Sequence, residues 1–207
     1  MNFYNLQEQE YFMEFYVNGT KIDVELEDEK TIGDVLKSFE EECAKSNATT
    51  VSIIVDGKNI RAEDFDKTAE KPLCPDTKIE LEIISQQAIE NSFNEEKENC
   101  RKLSEELKQL PVKFQAGKDN EANSIITSLA DLIDSICHTA SLSALFPQKF
   151  GKIKIEDKTF IEFFADLSPV LKDFEQAIES KDTVLLGDLA EYEISPRLDS
   201  LADALEA

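Results

Sequence analysis

The stretch KIELEIISQQAIENSF, residues 78–93, contains the change of pattern that decides the fold. In its first half apolar and polar residues alternate, which is typical of a strand with one buried face. From about Gln86 the apolar residues recur every three or four positions, as they do on one face of a helix. The sequence therefore predicts an α+β protein of two domains, a sheet domain at 1–85 and a helical domain at 86–207.

The segment before this change predicts a small sheet with one helix. Phe15 and Val17 alternate with polar residues in a first strand, and Asn18-Gly19 favours a tight hairpin because both residues accept positive φ. Thr31 is a suitable N-cap for a helix. The apolar residues of the second strand are Ile22, Val24 and Leu26, and those of the helix are Ile32, Val35, Leu36 and Phe39.

Two more strands complete the predicted sheet. The stretch VSIIVDGKNI, residues 51–60, is rich in β-branched residues and contains the turn signal Asp56-Gly57. A short connection leads to the last strand, in which Ile79, Leu81 and Ile83 alternate with polar residues.

The order strand, strand, helix, strand and strand resembles the ubiquitin-like β-grasp fold over residues 11–85. The stretches that carry the resemblance are MEFYVNGTKIDVELEDEKTIGDVLKSFEEE, IIVDGKNI and KIELEII. Ubiquitin-like modifiers and sulfur carriers end in an activated Gly-Gly, whereas this chain continues beyond Ser85 and has no glycine between Gly57 and Gly117. The resemblance therefore implies a module for binding or docking, without conjugation chemistry.

The segment 86–207 predicts four helices, which suggests an antiparallel four-helix bundle. Glu96 interrupts the apolar seam of the first helix, and Pro111 marks its boundary or a kink. Asp119, Asp157 and Asp182 are the expected N-caps of the next three helices. The seam of the first helix is Ile89, Phe93, Cys100, Leu103, Leu107 and Leu110, and the face of the second is Ile126, Leu129, Ile133, Ile136, Cys137 and Ala140.

The third helix carries a dense apolar stripe, which we interpret as core, with a groove for a partner's helix as the alternative. Its residues are Phe160, Phe163, Phe164, Leu167, Leu171, Phe174 and Ile178. The segment FEQAIESKDTVLLGDLAEYEISPRLDSL is similar to the last helical pair of small acidic export chaperones of bacteria. That resemblance rests on no defining motif, so no functional residue is assigned from it.

The last helix, which includes DLAEYEISPRLDSLADAL at 188–205, contains Pro196. At 100° per residue its apolar face moves by roughly 120° between the two halves. We therefore predict that the helix bends or breaks near Tyr192–Pro196 and presents two faces. A plain kink, a helix that ends near Ile194, and a protein-docking surface formed by Tyr192, Glu193 and Pro196 are the three alternatives. Pro196, like Pro169 in the third helix, is expected to face away from the apolar stripe.

The net charge of −22 bounds the choice of partners. The excess of carboxylates is shared equally between 1–85 and 86–207, so no basic face is expected to assemble, and nucleic acid and anionic membranes are disfavoured. The acidity favours either solubility through self-repulsion or attraction of a basic protein.

The sequence also indicates where the protein resides. No apolar run reaches the ~20 residues that span a bilayer, and the first residues, MNFYNLQEQEYF, lack the features of a secretory signal. The four cysteines show neither metal-binding nor disulfide-scaffold spacing. We therefore expect a cytoplasmic protein with free thiols.

No reaction, metal or cofactor is indicated by the sequence. His138 is the only histidine, and it points about 100° away from Cys137 on a helix. The acidic runs at 27–29, 40–42 and 94–98 are interpreted as solvated surface. We expect a non-enzymatic protein-interaction module, an adaptor or chaperone-like binder. The alternatives are a structural subunit of a larger assembly and an enzyme with a carboxylate site between the two domains. The sequence leaves the oligomeric state and the identity of the partner open.

Overall fold

The computed structural model describes residues 13–206, so the predictions made on Phe12 and on a signal in residues 1–12 lie outside the described residues. The chain is α+β, as predicted. It separates into two compact units, of which the first ends at Ser85 and the second begins at Gln86.

The first unit contains a five-stranded sheet with the strand order β2-β1-β5-β3-β4. Strands β1 and β5 are parallel, and the remaining neighbours are antiparallel. The elements are β1 (Glu14–Val17), β2 (Thr20–Ile22), α1 (Ile32–Lys45), β3 (Ala48–Val55), β4 (Lys58–Asn59), α2 (Ala62–Ala69) and β5 (Lys78–Ser85). Helix α2 occupies the segment for which the sequence predicted only a connection. The buried core of this unit consists of Phe15, Ile32, Val35, Leu36, Val55, Ile79 and Leu81.

The predicted turns and the predicted cap of α1 are confirmed. Asn18 and Gly19 have φ values of 48° and 77° and join a hairpin whose end residues pair directly. Asp56 and Gly57 form the equivalent turn with φ values of 50° and 76°. Thr31 accepts a hydrogen bond from the backbone of Asp34, whose carboxylate in turn accepts one from the backbone of Thr31, so the cap is a complete capping box.

The second strand is shorter than predicted. It ends at Ile22, which lies opposite Phe15, and Val24 is exposed. The next pair in this register would place Asp23 opposite Glu14, and like charges directly opposite each other destabilise a strand pair. The alternation of Ile22, Val24 and Leu26 therefore overestimated the length of β2.

The second unit is helical. Its elements are α3 (Gln86–Leu107), α4 (Leu110–Gln115), α5 (Asp119–Ser143), α6 (Pro147–Phe150), α7 (Phe160–Ser180), α8 (Thr183–Asp188), a π-helical segment (Leu189–Ile194) and α9 (Ser195–Ala204). Pro111 marks a boundary, as predicted, because it lies in the first turn of α4.

The N-caps of the later helices follow the prediction in one case of three. Asp182 accepts a hydrogen bond from the backbone of Leu185 and caps α8, as predicted. Asp119 was predicted wrongly, because it is the first residue of α5 and not its cap. Asp157 was also predicted wrongly, since it lies in a turn with a φ of 66° and Thr159 forms a capping box with Glu162 instead.

Helix α3 packs against both α5 and α9 and is the central contact of the second unit. Ser104 in α3 and Ser195 in α9 are fully buried. The Ser195 hydroxyl donates to the carbonyl oxygen of Ser104 at 3.0 Å, and the Ser104 hydroxyl donates to that of Ser195 at 3.2 Å. These two bonds satisfy the hydroxyls inside an otherwise apolar contact, and the small side chains let the helices approach closely.

The last helix was predicted to bend or break near Tyr192–Pro196. Its hydrogen-bonding pattern changes there, but the residues at both ends of the change keep helical dihedral angles, so the helix does not break. The dihedral angles of Leu189, Ile194 and Ser195 are all helical, and the interruption is the π-helical segment. Pro196 lies two residues after the end of this segment and is exposed, as is Pro169 in α7. Both prolines therefore face outwards, as predicted.

The π-helical segment also corrects the predicted rotation of the apolar face. The residues Leu186, Ala190, Ile194, Leu198 and Ala202 are buried in one core cluster at a strict spacing of four. In an α-helix four residues overshoot one turn by about 40°, whereas the i→i+5 bonds of a π-helix widen the turn. The two halves of the helix therefore add to the same core, although α8 packs on α4 and α7 while α9 packs on α3.

Replacement of Gly187 by alanine tests the contact between α8 and α4. A Cβ atom at this position would lie 2.5 Å from Cγ of Pro111, so we expect the Gly187→Ala variant to lose about 1–3 kcal/mol of unfolding free energy. The measurement is urea denaturation. The neighbouring exposed Asp188→Ala variant is the control, with an expected change within about 0.5 kcal/mol. Equal effects of the two substitutions would contradict the close contact.

Candidate functional site

Helix α5 has two apolar sides, and only one of them faces the core. Its buried residues repeat with the spacing of a seam and are Ala122, Ile125, Leu129, Leu132, Ile136, Thr139 and Ser143. Leu129 and Ile136 of the predicted face belong to this seam, whereas Ile126, Ile133, Cys137 and Ala140 are only partly buried. Thr139 and Ser143 also belong to the buried seam, and an apolar pattern cannot identify them because they are polar.

The partly buried side of α5 lines an open groove together with α7. Leu171, Phe174 and Ile178 of α7 lie opposite Ile126 and Ile133 of α5 along this groove. The predicted stripe of α7 is thus divided, because Phe163 and Leu167 are buried in the core whereas Leu171 and Ile178 are only partly covered. The two helix backbones do not pack closely along their lengths, in contrast to α3 with α5.

The groove consists of two adjoining parts. One part has a volume of about 440 Å³ and is lined mainly by the apolar side chains of α5 and α7. The other has a volume of about 360 Å³ and extends to Phe114 and Leu186. Ile126 and Ile178 line both parts, so the apolar surface is continuous. We call this surface the α5–α7 groove.

Charged side chains line the α5–α7 groove, and most of them are carboxylates. Asp134 and Glu175 lie beside its apolar part, and Asp119 and Lys181 lie in its other part. Among residues 13–206, none of these three carboxylates forms a salt bridge. The groove therefore combines an apolar floor with acidic groups that are available to a cation.

The predicted docking residues Tyr192, Glu193 and Pro196 are not part of this groove. Tyr192 is 65% exposed, and a hydrogen bond to Glu191 raises the pKa of its hydroxyl. Pro196 is also exposed. Glu193 accepts from the Arg197 guanidinium at 2.7 Å, so its charge is already partnered. A role of these three residues in docking stays a prediction.

Glu96 contradicts the interpretation of 94–98 as a solvated surface. Its side chain belongs to α3 and is buried against α5, with 3% of the residue exposed. Burial raises the pKa of its carboxyl group, although hydrogen bonds from Thr139 and Ser135 act in the opposite direction. One feature of the sequence indicated this burial, because Glu96 interrupts the apolar seam of the first helix.

Cys43 and Cys100 are buried and Cys137 is partly buried, whereas Cys74 is exposed. Burial raises the pKa of the Cys100 thiol to about 12 and also raises the pKa values of Cys43 and Cys137. A thiol with a raised pKa carries little of the reactive thiolate at neutral pH. Nothing in this environment activates Cys137 as a nucleophile.

Residues 13–206 contain neither a candidate metal site nor a candidate membrane-spanning helix. No cluster of three or more His, Cys, Asp or Glu side chains in this range is arranged to hold a metal ion. None of the helices in the same range has the length and apolar character needed to cross a bilayer.

Comparison with known proteins identifies a family for each part of the chain. Residues 13–85 match the family described as TP0873 N-terminal domain. Residues 91–204, more than half of the chain, match the family described as Domain of unknown function (DUF8042). The chain therefore belongs to the DUF8042 family.

One relative spans almost the whole chain. It is described as an uncharacterized protein of Treponema pallidum (strain Nichols), and it is 28% identical over 193 residues, which cover 93% of this chain and 96% of the relative. No solved structure matches the chain significantly.

Substitution of two adjacent residues of α5 tests the division between core and groove. Leu132 faces the core and Ile133 lines the groove. We expect Leu132→Ala to lower the unfolding free energy by about 2–5 kcal/mol. Ile133→Ala should cost clearly less, because its side chain is already partly in water. Chemical denaturation of both variants measures the difference, and a larger loss for Ile133→Ala would contradict the orientation of α5.

Proposed function

We propose that this member of the DUF8042 family is a non-enzymatic protein-interaction module, an adaptor or chaperone-like protein of the cytoplasm, which binds its partner in the α5–α7 groove. The observation that supports this proposal is a continuous apolar surface with unpaired carboxylates beside it. The apolar side chains on its floor are suited to contact with the apolar face of a protein segment.

The groove is best suited to an amphipathic helix. It runs between two helices, and its apolar residues Ile126, Ile133 and Leu171 offer contacts for side chains spaced one helical turn apart. An extended peptide would instead need an open sheet edge for its backbone hydrogen bonds. The proposed occupant is therefore a helix of the partner with one apolar face.

The charges beside the groove favour lysine and arginine in that helix. Asp119, Asp134 and Glu175 outnumber Lys181, and the whole chain has a net charge of −22. A cationic helix would be attracted at long range and would place its charges beside these carboxylates. A second copy of this chain is the weaker candidate, since two such acidic surfaces repel each other.

For the fold we propose a ubiquitin-like β-grasp in the first unit and an antiparallel four-helix bundle in the second. The parallel pair β1–β5 at the centre of the order β2-β1-β5-β3-β4, with α1 between the hairpin and β3, supports the first assignment. The packing of α3 on α5 and α9, and of α7 on α8 and the π-helical segment, supports the second.

A peptide-binding experiment tests the proposed function. The probe is a synthetic peptide of about 14 residues, roughly 21 Å of helix, with leucine on one face and lysine on the other. We expect it to bind the full chain in calorimetry. The Asp134→Lys/Glu175→Lys variant should bind roughly tenfold more weakly, because each reversal replaces an attraction of up to about 1 kcal/mol by a repulsion.

Two controls distinguish the groove from the general acidity of the chain. Asp173→Lys changes an exposed charge of α7 outside the groove and should have little effect. Ala130→Trp fills the groove and should abolish binding, whereas Ala165→Trp on an exposed part of α7 should not. Equal binding by all of these variants, or equal binding of a glutamate-containing version of the peptide, would overturn the proposal.

A further inference from the structure

Glu96 is the only buried side chain in residues 13–206 that has a polar atom without a hydrogen-bond partner. It lies where α3 packs on α5, and only 3% of the residue is exposed. Burying a carboxylate is costly unless its charge is paired and its oxygens are hydrogen-bonded. The stability of this site therefore depends on whether the Glu96 carboxyl group is charged or neutral.

The hydrogen bonds to Glu96 are distributed unequally between its oxygens. Oε1 accepts from the Thr139 hydroxyl at 2.6 Å and from the Ser135 hydroxyl at 2.8 Å. Oε2 is buried without a partner. In the neutral acid, Oε1 can serve as the carbonyl oxygen and still accept both bonds. The proton then lies on Oε2, and a buried hydroxyl group without a partner costs less than a buried charge. The charged form adds the cost of desolvation, and among residues 13–206 no salt bridge to Glu96 compensates for it.

The ionisable groups around Glu96 are few. On α3 these are Glu95, whose charge raises the pKa of Glu96, and the neutral thiol of Cys100. On α5 they are Cys137 and His138, and a positive charge on His138 lowers the pKa of Glu96. From α9, Asp199 acts on Cys100 and lies 3.9 Å from Lys108.

We propose that Glu96 is a proton-operated lock between α3 and α5. When Glu96 takes up a proton in the folded second unit, the buried charge disappears and α5 is held more firmly on α3. Because α5 also forms one wall of the α5–α7 groove, protonation of Glu96 also stabilises that wall. The lock itself does not depend on the proposed function.

The direction of the pH dependence follows from linkage. Burial, the main cause, raises the pKa of Glu96 above its value in the unfolded chain. The folded state therefore binds the proton more tightly, and its stabilisation by that proton is fully present below the unfolded pKa and is lost as the pH rises through the folded pKa. The unfolding constant changes by at most about tenfold for each pH unit from this single proton.

The decisive measurement is an NMR titration of the Glu96 side-chain carboxyl carbon in the full native chain. We expect its midpoint to lie above that of glutamate in the urea-unfolded chain. In Thr139→Val, which removes a hydrogen bond that favours the charged form, the midpoint should rise further. A midpoint at or below the unfolded value would overturn the proposal, and this test does not depend on the stability of a Glu96 variant.

Urea denaturation between about pH 8 and pH 5, above the ordinary range of glutamate, tests the effect on stability. Wild type should gain more stability on acidification than Glu96→Gln does. Glu95→Gln removes an exposed neighbouring charge whose effect on Glu96 is smaller than that of burial, so it should reduce the gain only slightly. Repeating the comparison in a His138→Asn background removes the titration of the only histidine. The same pH dependence in Glu96→Gln and wild type would overturn the proposal, whatever peptide binding shows.

Discussion

The packing of α3 against both α5 and α9 is the constraint on which the second unit depends. It places polar groups in two otherwise apolar contacts, and the two are resolved differently. Between α3 and α9 the hydroxyls of Ser104 and Ser195 bond to each other's carbonyl oxygens, so every group is satisfied. Between α3 and α5 the carboxylate of Glu96 receives two bonds on one oxygen and none on the other. The two serine hydroxyls carry no charge that changes near neutral pH, whereas Glu96 has an ionisable carboxyl group.

The π-helical segment allows the last long helical region to pack into the core of the second unit on both sides of Pro196. Pro196 cannot donate a backbone hydrogen bond, and the Arg197 guanidinium donates to the carbonyl oxygen of Glu193 at 2.6 Å. The wider turn keeps Leu186, Ala190 and Ile194, which are spaced four residues apart, in one core. Calculation with 100° per residue could not anticipate this, because it assumes α-helical geometry throughout. The position of the interruption was predictable from Pro196, but its form was not.

Local chemistry was predicted better than helix orientation. The Asn18-Gly19 and Asp56-Gly57 turns depend on positive φ, which few residue types accept. The residue types alone therefore predict these turns. Which face of α5 is buried depends on the helices that pack against it. Because α5 has two apolar sides, more than one rotation about its axis would bury an apolar face. The groove residues Ile126 and Ile133 were therefore taken for core, and Thr139 was left out of it.

The second apolar side of α5 is also the reason for inferring a binding groove. A helix that only fills a core needs one apolar stripe, and α5 provides it through Leu129, Leu132 and Ile136. Partly exposed Ile126 and Ile133 add nothing that this packing requires, and α7 repeats the situation with Leu171 and Ile178. Two facing helices that each carry surplus apolar residues beside unpaired carboxylates have more apolar surface than their own fold uses. A complementary helix from a partner would cover that surface and neutralise the charges beside it.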